Sequence, residues 1–277
     1  MLVHDKYRIC GLQSQELNAC MSIQRVNVLG VGVSAITMPL AVETIEKWII
    51  QRQREYVCVT NVHLIMECQR DEKLRQIHNR AGMVTPDGMP LVWLSHLNGF
   101  RQVERVYGPD LLLAFCARSA TQGYRHYFYG GAEGVPQLLV KRLTQRFPGL
   151  EIAGMFSPPF TPLSPREDAQ IVDMINQTQP DVVWVGLGAP KQERWMAAHL
   201  GRIQAPVMIG VGAAFDFHSG LKPQAPYWMQ RHGLEWVFRL ANEPQRLWRR
   251  YLIYNPLFIF LVLQQFMGLR RYKIHSV

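Results

Sequence analysis

At 277 residues and 48% hydrophobic content, the chain is long enough to bury a large core in one α/β domain, or in a domain with an appendage, which excludes intrinsic disorder. Its five cysteines, Cys10, Cys20, Cys58, Cys68 and Cys116, form no C-x-x-C pair and no zinc spacing, which argues against a disulfide framework or a structural metal and for a reducing cytosol. The net charge of +9 is concentrated in residues 224–277, where eight basic side chains stand against Glu235 and Glu243, so the tail calls for an anionic partner such as a phosphate, a lipid surface or a nucleic acid.

Residues 1–25 have no strong period and no basic-then-apolar export signal, and read as a loosely attached leader. Val26 to Val33 is the first predicted strand, and Pro39 to Arg52 a helix with Leu40, Ile45, Trp48 and Ile49 on its apolar face. Tyr56 to Thr60 is the next strand, delivering Thr60, Asn61 and His63 to its carboxyl end, and a helical segment with Leu64, Met66, Leu74 and Ile77 follows. In Met83 to Pro90 a short strand meets a turn. There Pro86 fixes its own φ and extends Thr85, while Gly88 frees the backbone after Asp87, so Asp87 is held on a defined bend. Helices over 91–97 and from Pro109 onward come next.

His126 to Tyr129 is a strand running into Gly130-Gly-Ala-Glu-Gly134 and a helix that ends at Phe147. Small residues between a strand and a helix suit a phosphate-binding turn; the stretch matches neither G-x-G-x-x-G nor a P-loop, and a plain tight turn explains it as well. A strand over 152–156, a proline-rich loop over 157–165 and a helix over 166–178 follow. The chain is organised around Asp181-Val-Val-Trp-Val-Gly-Leu-Gly-Ala-Pro-Lys-Gln-Glu193. Its apolar run is that of a buried parallel strand, Gly186 and Gly188 let the backbone turn and approach a ligand, and Pro190 can open a helix. Lys191, Gln192 and Glu193 then sit at the carboxyl edge of a sheet, where open α/β folds put their ligands. An ordinary strand-to-helix turn has the same pattern. The last strand is Pro206 to Val211, with Asp216 and His218 beyond it.

Strand and helix alternate up to residue 222, which predicts a Rossmann-like α/β core over 26–222 with a mostly parallel sheet covered on both faces. Residues 223–277 read as a helical, basic, membrane-associating appendage. Its apolar run from Leu257 is shorter than the ~20 residues that span a bilayer. A helix lying in the membrane interface fits this run, and so does a helix docked on the domain or on a second subunit.

Thr60-Asn61, Thr85-Pro-Asp-Gly88, Gly130-Gly131, Gly186-Leu-Gly-Ala-Pro-Lys-Gln-Glu193, Gly210-Val-Gly-Ala-Ala-Phe-Asp216 and Gly233-Leu-Glu-Trp-Val-Phe-Arg-Leu240, in that order, resemble the WecG/TagA/CpsF family of bacterial glycosyltransferases over about residues 26–251. The resemblance implies transfer of a sugar from a UDP-sugar to a polyprenyl-diphosphate-linked sugar, with inversion, in surface or exopolysaccharide biosynthesis. It implies a catalytic base at Asp87 and substrate contacts at Thr60, Asn61, Gly131, Gly188, Gln192 and Glu193. Arg231, Arg239, Arg246 and Arg249 correspond to the arginine-rich appendage that closes over the site and helps bind the lipid diphosphate. The implied location is peripheral, at the cytoplasmic face of the inner membrane, and a homo-oligomer fits too. No Asp-x-Asp occurs, so neither a metal nor any other cofactor is expected, and cationic side chains would meet the charge of the diphosphate.

Two rival readings weigh less. A nicotinamide-dependent oxidoreductase would need the glycine fingerprint and an acidic residue after the second strand, neither of which is present. A nucleic-acid module would explain the basic tail, but the aliphatic run among its arginines points to lipid and away from nucleic acid.

Overall fold

A computed structural model describes residues 23–274 of the chain, apart from the side chains of Arg246 and Arg250. The expected leader lies almost wholly outside these residues. The segment expected to be the first strand is a hairpin, β1 (Arg25–Val28) paired antiparallel with β2 (Val31–Ser34), and it stands apart from the main sheet. The single-strand reading fails at Leu29 and Gly30, which take φ of 51° and 84°. Two consecutive positive φ values are what a tight hairpin turn needs, and they reverse the chain in the middle of an apolar run.

The main sheet has six parallel strands: β3 (Glu55–Thr60), β4 (Met83–Pro86), β5 (Arg125–Gly130), β6 (Glu151–Phe156), β7 (Val182–Gly186) and β8 (Val207–Gly210). Their spatial order is β4-β3-β8-β7-β5-β6. The chain thus lays β3 and β4 at one edge, crosses to build β5 and β6 at the other, and fills the middle last. Helices cover both faces because the strand side chains alternate between two apolar layers. Val57, Val59, Trp184 and Ile209 pack with Ile45 and Trp48 of α1 (Met38–Ile50) and with Leu111 and Phe115 of α5 (Gly108–Gln122). Tyr56, Cys58, Val183 and Met208 pack on the other side, against α2 (Val62–Arg70), α3 (Glu72–Arg80) and Met196 of α8 (Lys191–His199). The layer next to α5 is sealed by His126, which accepts the Trp184 indole N–H at 2.8 Å. Burial drives its pKa down to about 3, so it stays neutral.

Helices α6 (Val135–Arg146) and α7 (Pro165–Gln177) follow β5 and β6, and two further helices matter for the site: α4 (Met89–Leu97), which leaves the Asp87 turn, and the short α9 (Ala214–Ser219) after β8. Beyond them come α10 (Tyr227–Arg231), α11 (Glu235–Asn242), α12 (Pro244–Leu252) and α13 (Tyr254–Phe266). Helix α13 is docked on the domain along one face and exposed along the other. Phe258, Leu261 and Val262 are buried in the core layer that holds the hairpin and α2, and the Gln265 side chain bonds to the backbone of Leu29 and Asn27 at 2.9 and 2.8 Å. Ile259, Phe260, Leu263 and Phe266, in contrast, are exposed. Among the described residues, no helix is long and apolar enough to cross a membrane.

Candidate active site

All six parallel strands point their carboxyl ends at one cavity of about 910 Å³. Asn61 follows β3, Asp87 follows β4, Gly131 and Ala132 follow β5, the loop 158–163 follows β6, Gly186 to Ala189 follow β7, and Val211 to Asp216 follow β8. Phe238, Arg239, Asn242 and Glu243 of α11 and its end close the cavity from the appendage.

Asp87 is fixed from several directions. Its N–H donates to the Thr60 carbonyl at 2.9 Å, which splices the end of β4 to the end of β3. One carboxylate oxygen accepts the Gly108 N–H at 3.2 Å and the other accepts the Asn61 amide at 3.4 Å. Asn61 can reach because it also caps α2, accepting the Leu64 N–H at 3.3 Å. Burial raises the Asp87 pKa above the ordinary aspartate value. Arg105 works against that shift and Glu235 with it, while the bonds from Gly108 and Asn61 lower it again. A partly enclosed carboxylate with a raised pKa, its oxygens oriented and its face open to a cavity, is equipped to accept a proton.

Behind the Asp87 turn stands Arg105, which the sequence reading did not single out. Its Nε donates to the Asp87 carbonyl at 2.5 Å, Nη1 donates to Gln230 Oε1 at 3.1 Å, and Nη2 pairs with the Glu235 carboxylate. The guanidinium stacks over the Tyr107 ring at 4.0 Å, and the Tyr107 hydroxyl donates to Glu235 at 3.1 Å. Burial alone would lower the Arg105 pKa, but Asp87 and Glu235 outweigh it and hold the residue cationic. No motif surrounds Arg105 in the sequence; only its distance in space from Asp87 reveals it.

The glycine turns form the opposite wall. Gly130 packs so closely on β7 that a Cβ there would lie 2.5 Å from the Gly186 carbonyl carbon, and the Gly131 N–H donates to the Gly186 carbonyl at 3.0 Å. Gly188, at φ 76°, has open space where a Cβ would be, so its backbone faces the cavity bare. The Ala189–Pro190 peptide is cis, and Pro190 caps α8 from just outside it. Gln192 lines the cavity although only 3% exposed, and donates to Glu193 at 2.9 Å; its Oε1 is buried without a hydrogen-bond partner among the described residues. Gly210 and Gly212 leave it the room.

The residues singled out from the sequence therefore divide. Asn61, Asp87, Gly131, Gly188, Gln192 and Arg239 line the cavity. Thr60 does not: its side chain is fully buried, with the hydroxyl turned back onto the Cys58 carbonyl at 3.2 Å, and it serves the site through its backbone. Glu193 lies one helical step past Gln192, on the face of α8 directed into the core, and is fully buried. Arg231 ends α10 on the outer surface, over the Tyr227 ring at 5.7 Å. Arg249 is likewise exposed, over Trp248 at 5.2 Å, and the side chain of Arg246 lies outside the described residues. Asp216 lines the cavity, paired with Lys222 at 3.2 Å, whereas His218 turns away to the Pro109 carbonyl at 2.9 Å. Lys191, expected at the ligand edge of the sheet, is on the cavity wall, and so are Lys222 and Phe160, which carried no signal of their own in the sequence. Among the described residues, no group of three His, Cys, Asp or Glu side chains assembles that could hold a metal ion.

Comparison with known proteins adds the chemistry of relatives. A family model described as "Glycosyl transferase WecG/TagA/CpsF family" matches residues 26–272. A protein of Bacillus spizizenii named N-acetylglucosaminyldiphosphoundecaprenol N-acetyl-beta-D-mannosaminyltransferase is 31% identical over 202 residues, which cover 73% of this chain and 76% of that protein. A protein of Staphylococcus aureus with the same name is 27% identical over 241 residues, 86% of this chain and 92% of that protein.

Proposed function

Because this chain belongs to the WecG/TagA/CpsF family of glycosyl transferases, we propose that it moves a hexosyl group from a UDP-sugar to a sugar carried on polyprenyl diphosphate, with inversion at the anomeric carbon. The acceptor class follows the names of the relatives, whose substrate is a sugar-diphosphoundecaprenol. The observation that carries the reading is the oriented carboxylate of Asp87 sharing one cavity with the Gly131 turn, the bare Gly188 backbone and Arg239.

The reaction follows as a single displacement. The acceptor hydroxyl gives its proton to Asp87 while its oxygen forms a bond to the anomeric carbon from the face opposite the diphosphate. The bond from that carbon to the diphosphate oxygen breaks, and UDP leaves with the electron pair. Backbone N–H groups at the glycine turns, together with Arg239 and Lys191, meet the growing charge in a site the appendage partly closes. No metal or other cofactor enters this scheme. The exposed apolar strip on α13 and the basic flanks of the appendage favour work at a membrane surface bearing the lipid-linked acceptor; we assign the protein to the cytoplasmic face, where nucleotide sugars are found. A panel of UDP-sugars offered with a short-chain lipid-diphosphate sugar, products read by mass, tests the reading. No transfer from any UDP-sugar would refute it.

A further inference from the structure

Arg105 presents a problem for a base placed next to it. A guanidinium that stayed unopposed beside Asp87 would favour the ionised carboxylate so strongly that its affinity for a proton would drop. In this fold the charge is met from the other side, by a residue of the appendage. We propose that Glu235, on the cover helix α11, is a positioning residue: it takes up the charge of Arg105 so that the guanidinium can brace the Asp87 turn from behind without disarming its carboxylate.

The geometry supports this division of labour. Arg105 uses its fork on both parts of the molecule at once, with Nε on the Asp87 carbonyl of the core at 2.5 Å and the two terminal nitrogens on Gln230 and Glu235 of the appendage. Its side chain and that of Glu235 are each only 15% exposed, so water screens the pair weakly. Glu235 is itself held in register by the Tyr107 hydroxyl at 3.1 Å and has Arg239 at 3.9 Å in the preceding-to-following turn of its own helix. Gln230 is steadied by its bond to the Ala225 carbonyl at 2.8 Å. A cover that is not seated would remove Glu235 and Gln230 together, and Arg105 would be left to Asp87 alone. Docking of the appendage and readiness of the base are thereby coupled.

The charged and titratable groups that bear on Asp87 are Arg105 and Tyr107 from the segment before α5, and Glu235 and Arg239 from α11, with the neutral Asn61 amide and Gly108 N–H in direct contact. Arg105 and Glu235 also bear, in opposite senses, on Asp110 in the first turn of α5. Neutralising Glu235 removes one negative neighbour of Asp87 and frees two positive ones, Arg105 and Arg239, and both changes favour the ionised carboxylate. The expected signature is an acid limb of the pH profile displaced to lower pH.

The inference rests on Asp87 being the base, and the test separates the two. Full-length Glu235→Gln is compared with wild type for kcat/KM toward the lipid-linked acceptor across pH, with UDP affinity by calorimetry alongside. The acid limb is expected to move to lower pH and the plateau to fall roughly tenfold, since a weaker base transfers the proton less well, with UDP affinity unchanged. Glu235→Asp, which keeps the charge, is expected to hold the wild-type limb. The double variant Arg105→Gln/Glu235→Gln, in which both charges are gone, should return the limb toward wild type. An unmoved limb in Glu235→Gln would overturn the proposal, as would a limb that moves equally in Glu235→Asp. If Glu235→Gln fails to fold, the double variant carries the test, and a limb displaced there to lower pH overturns the proposal. A fully active Asp87→Asn protein would instead defeat the assignment of the base.

Discussion

Replacing Asp87 by Asn should separate chemistry from stability in opposite directions. The substitution keeps the shape of the side chain and can retain the bond from the Gly108 N–H at 3.2 Å, losing only the long 3.4 Å contact from the Asn61 amide, whose oxygen stays on the Leu64 N–H. It removes the proton acceptor, and loss of a general base lowers turnover by about 10²- to 10⁴-fold. The effect on the fold follows from the direction of the Asp87 pKa, which is raised above its ordinary value with the attraction of Arg105 already included. An acid whose pKa is raised by folding binds its proton more tightly in the native state than in the unfolded chain. Its ionised form therefore weakens the fold at pH above that raised value, and stability is gained as pH falls through it. The Asn variant lacks this burden at every pH. Its melting temperature at pH 7.5 should equal or exceed that of wild type, each kcal/mol of relief being worth about 2–4 °C in a chain of this size. Product formation by mass spectrometry, UDP binding by calorimetry and thermal unfolding by circular dichroism measure the three quantities. Turnover within tenfold of wild type would remove Asp87 as the base, and a melting point several degrees lower would make the carboxylate a structural anchor.

Four other perturbations test the wall, the turn and the two faces of the outer helix. Gly130→Ala puts a Cβ 2.5 Å from the Gly186 carbonyl carbon at a φ of 125°, so the protein should fail to accumulate in folded form; a soluble variant with native circular dichroism would contradict the close packing. Gly188→Ala meets nothing within 4 Å and is penalised only by its φ of 76°, a cost of about 1–2 kcal/mol; folding should survive while UDP affinity falls, and unchanged affinity would separate this backbone from the ligand. On α13, Phe260→Ser/Leu263→Ser alters only the exposed face, and losing about 1 kcal/mol of apolar burial per residue should weaken binding to anionic vesicles ~30-fold, an effect absent if the helix faces a second subunit. Phe258→Ala, on the docked face of the same helix, should instead cost about 3–5 kcal/mol of stability. Removing residues 251–277 outright would uncover this core and confound the two effects.

The strands and their ligand edge were legible because each depends on local information. An apolar run such as Val182 to Val185 must be buried, and a glycine turn after it must lie at a strand end, so the sequence alone brings Asp87, Asn61 and Gly188 to one side of a sheet. Leu29 escaped because a left-handed leucine is rare, and nothing in a run of valines and glycines announces that the strand folds back on itself. Thr60 and Glu193 were assigned to the ligand by motif, but the face a side chain presents is set by strand alternation and helical phase. Both point inward. Arg105 was invisible for the converse reason. Its partners are Asp87, 18 positions before it, and Gln230 and Glu235, more than 120 positions after it, and no local pattern encodes such a meeting.

The same distinction explains how this protein can combine a rigid carboxylate with a cover that seats on it. Everything that fixes the Asp87 carboxylate comes from the core: the Thr60 carbonyl, the Asn61 amide and the Gly108 N–H are all backbone or cap groups of elements in or against the sheet. What tunes its charge comes from both parts: burial and Arg105 belong to the core, and Glu235, which works against Arg105, belongs to α11 of the appendage. A second clasp repeats the arrangement across the cavity, where Lys222 bridges Asp216 of α9 at 3.2 Å and Glu243 at the start of α12 at 3.0 Å. Cutting that clasp with Lys222→Met leaves the Asp87 contacts intact and loosens only the cover. Acceptor KM should then rise several-fold while the acid limb shifts slightly to lower pH, in the direction expected for Glu235→Gln. A limb that moved to higher pH would mean that the cover disarms the base when it seats, and the coupling argued from Arg105 would have the wrong sign.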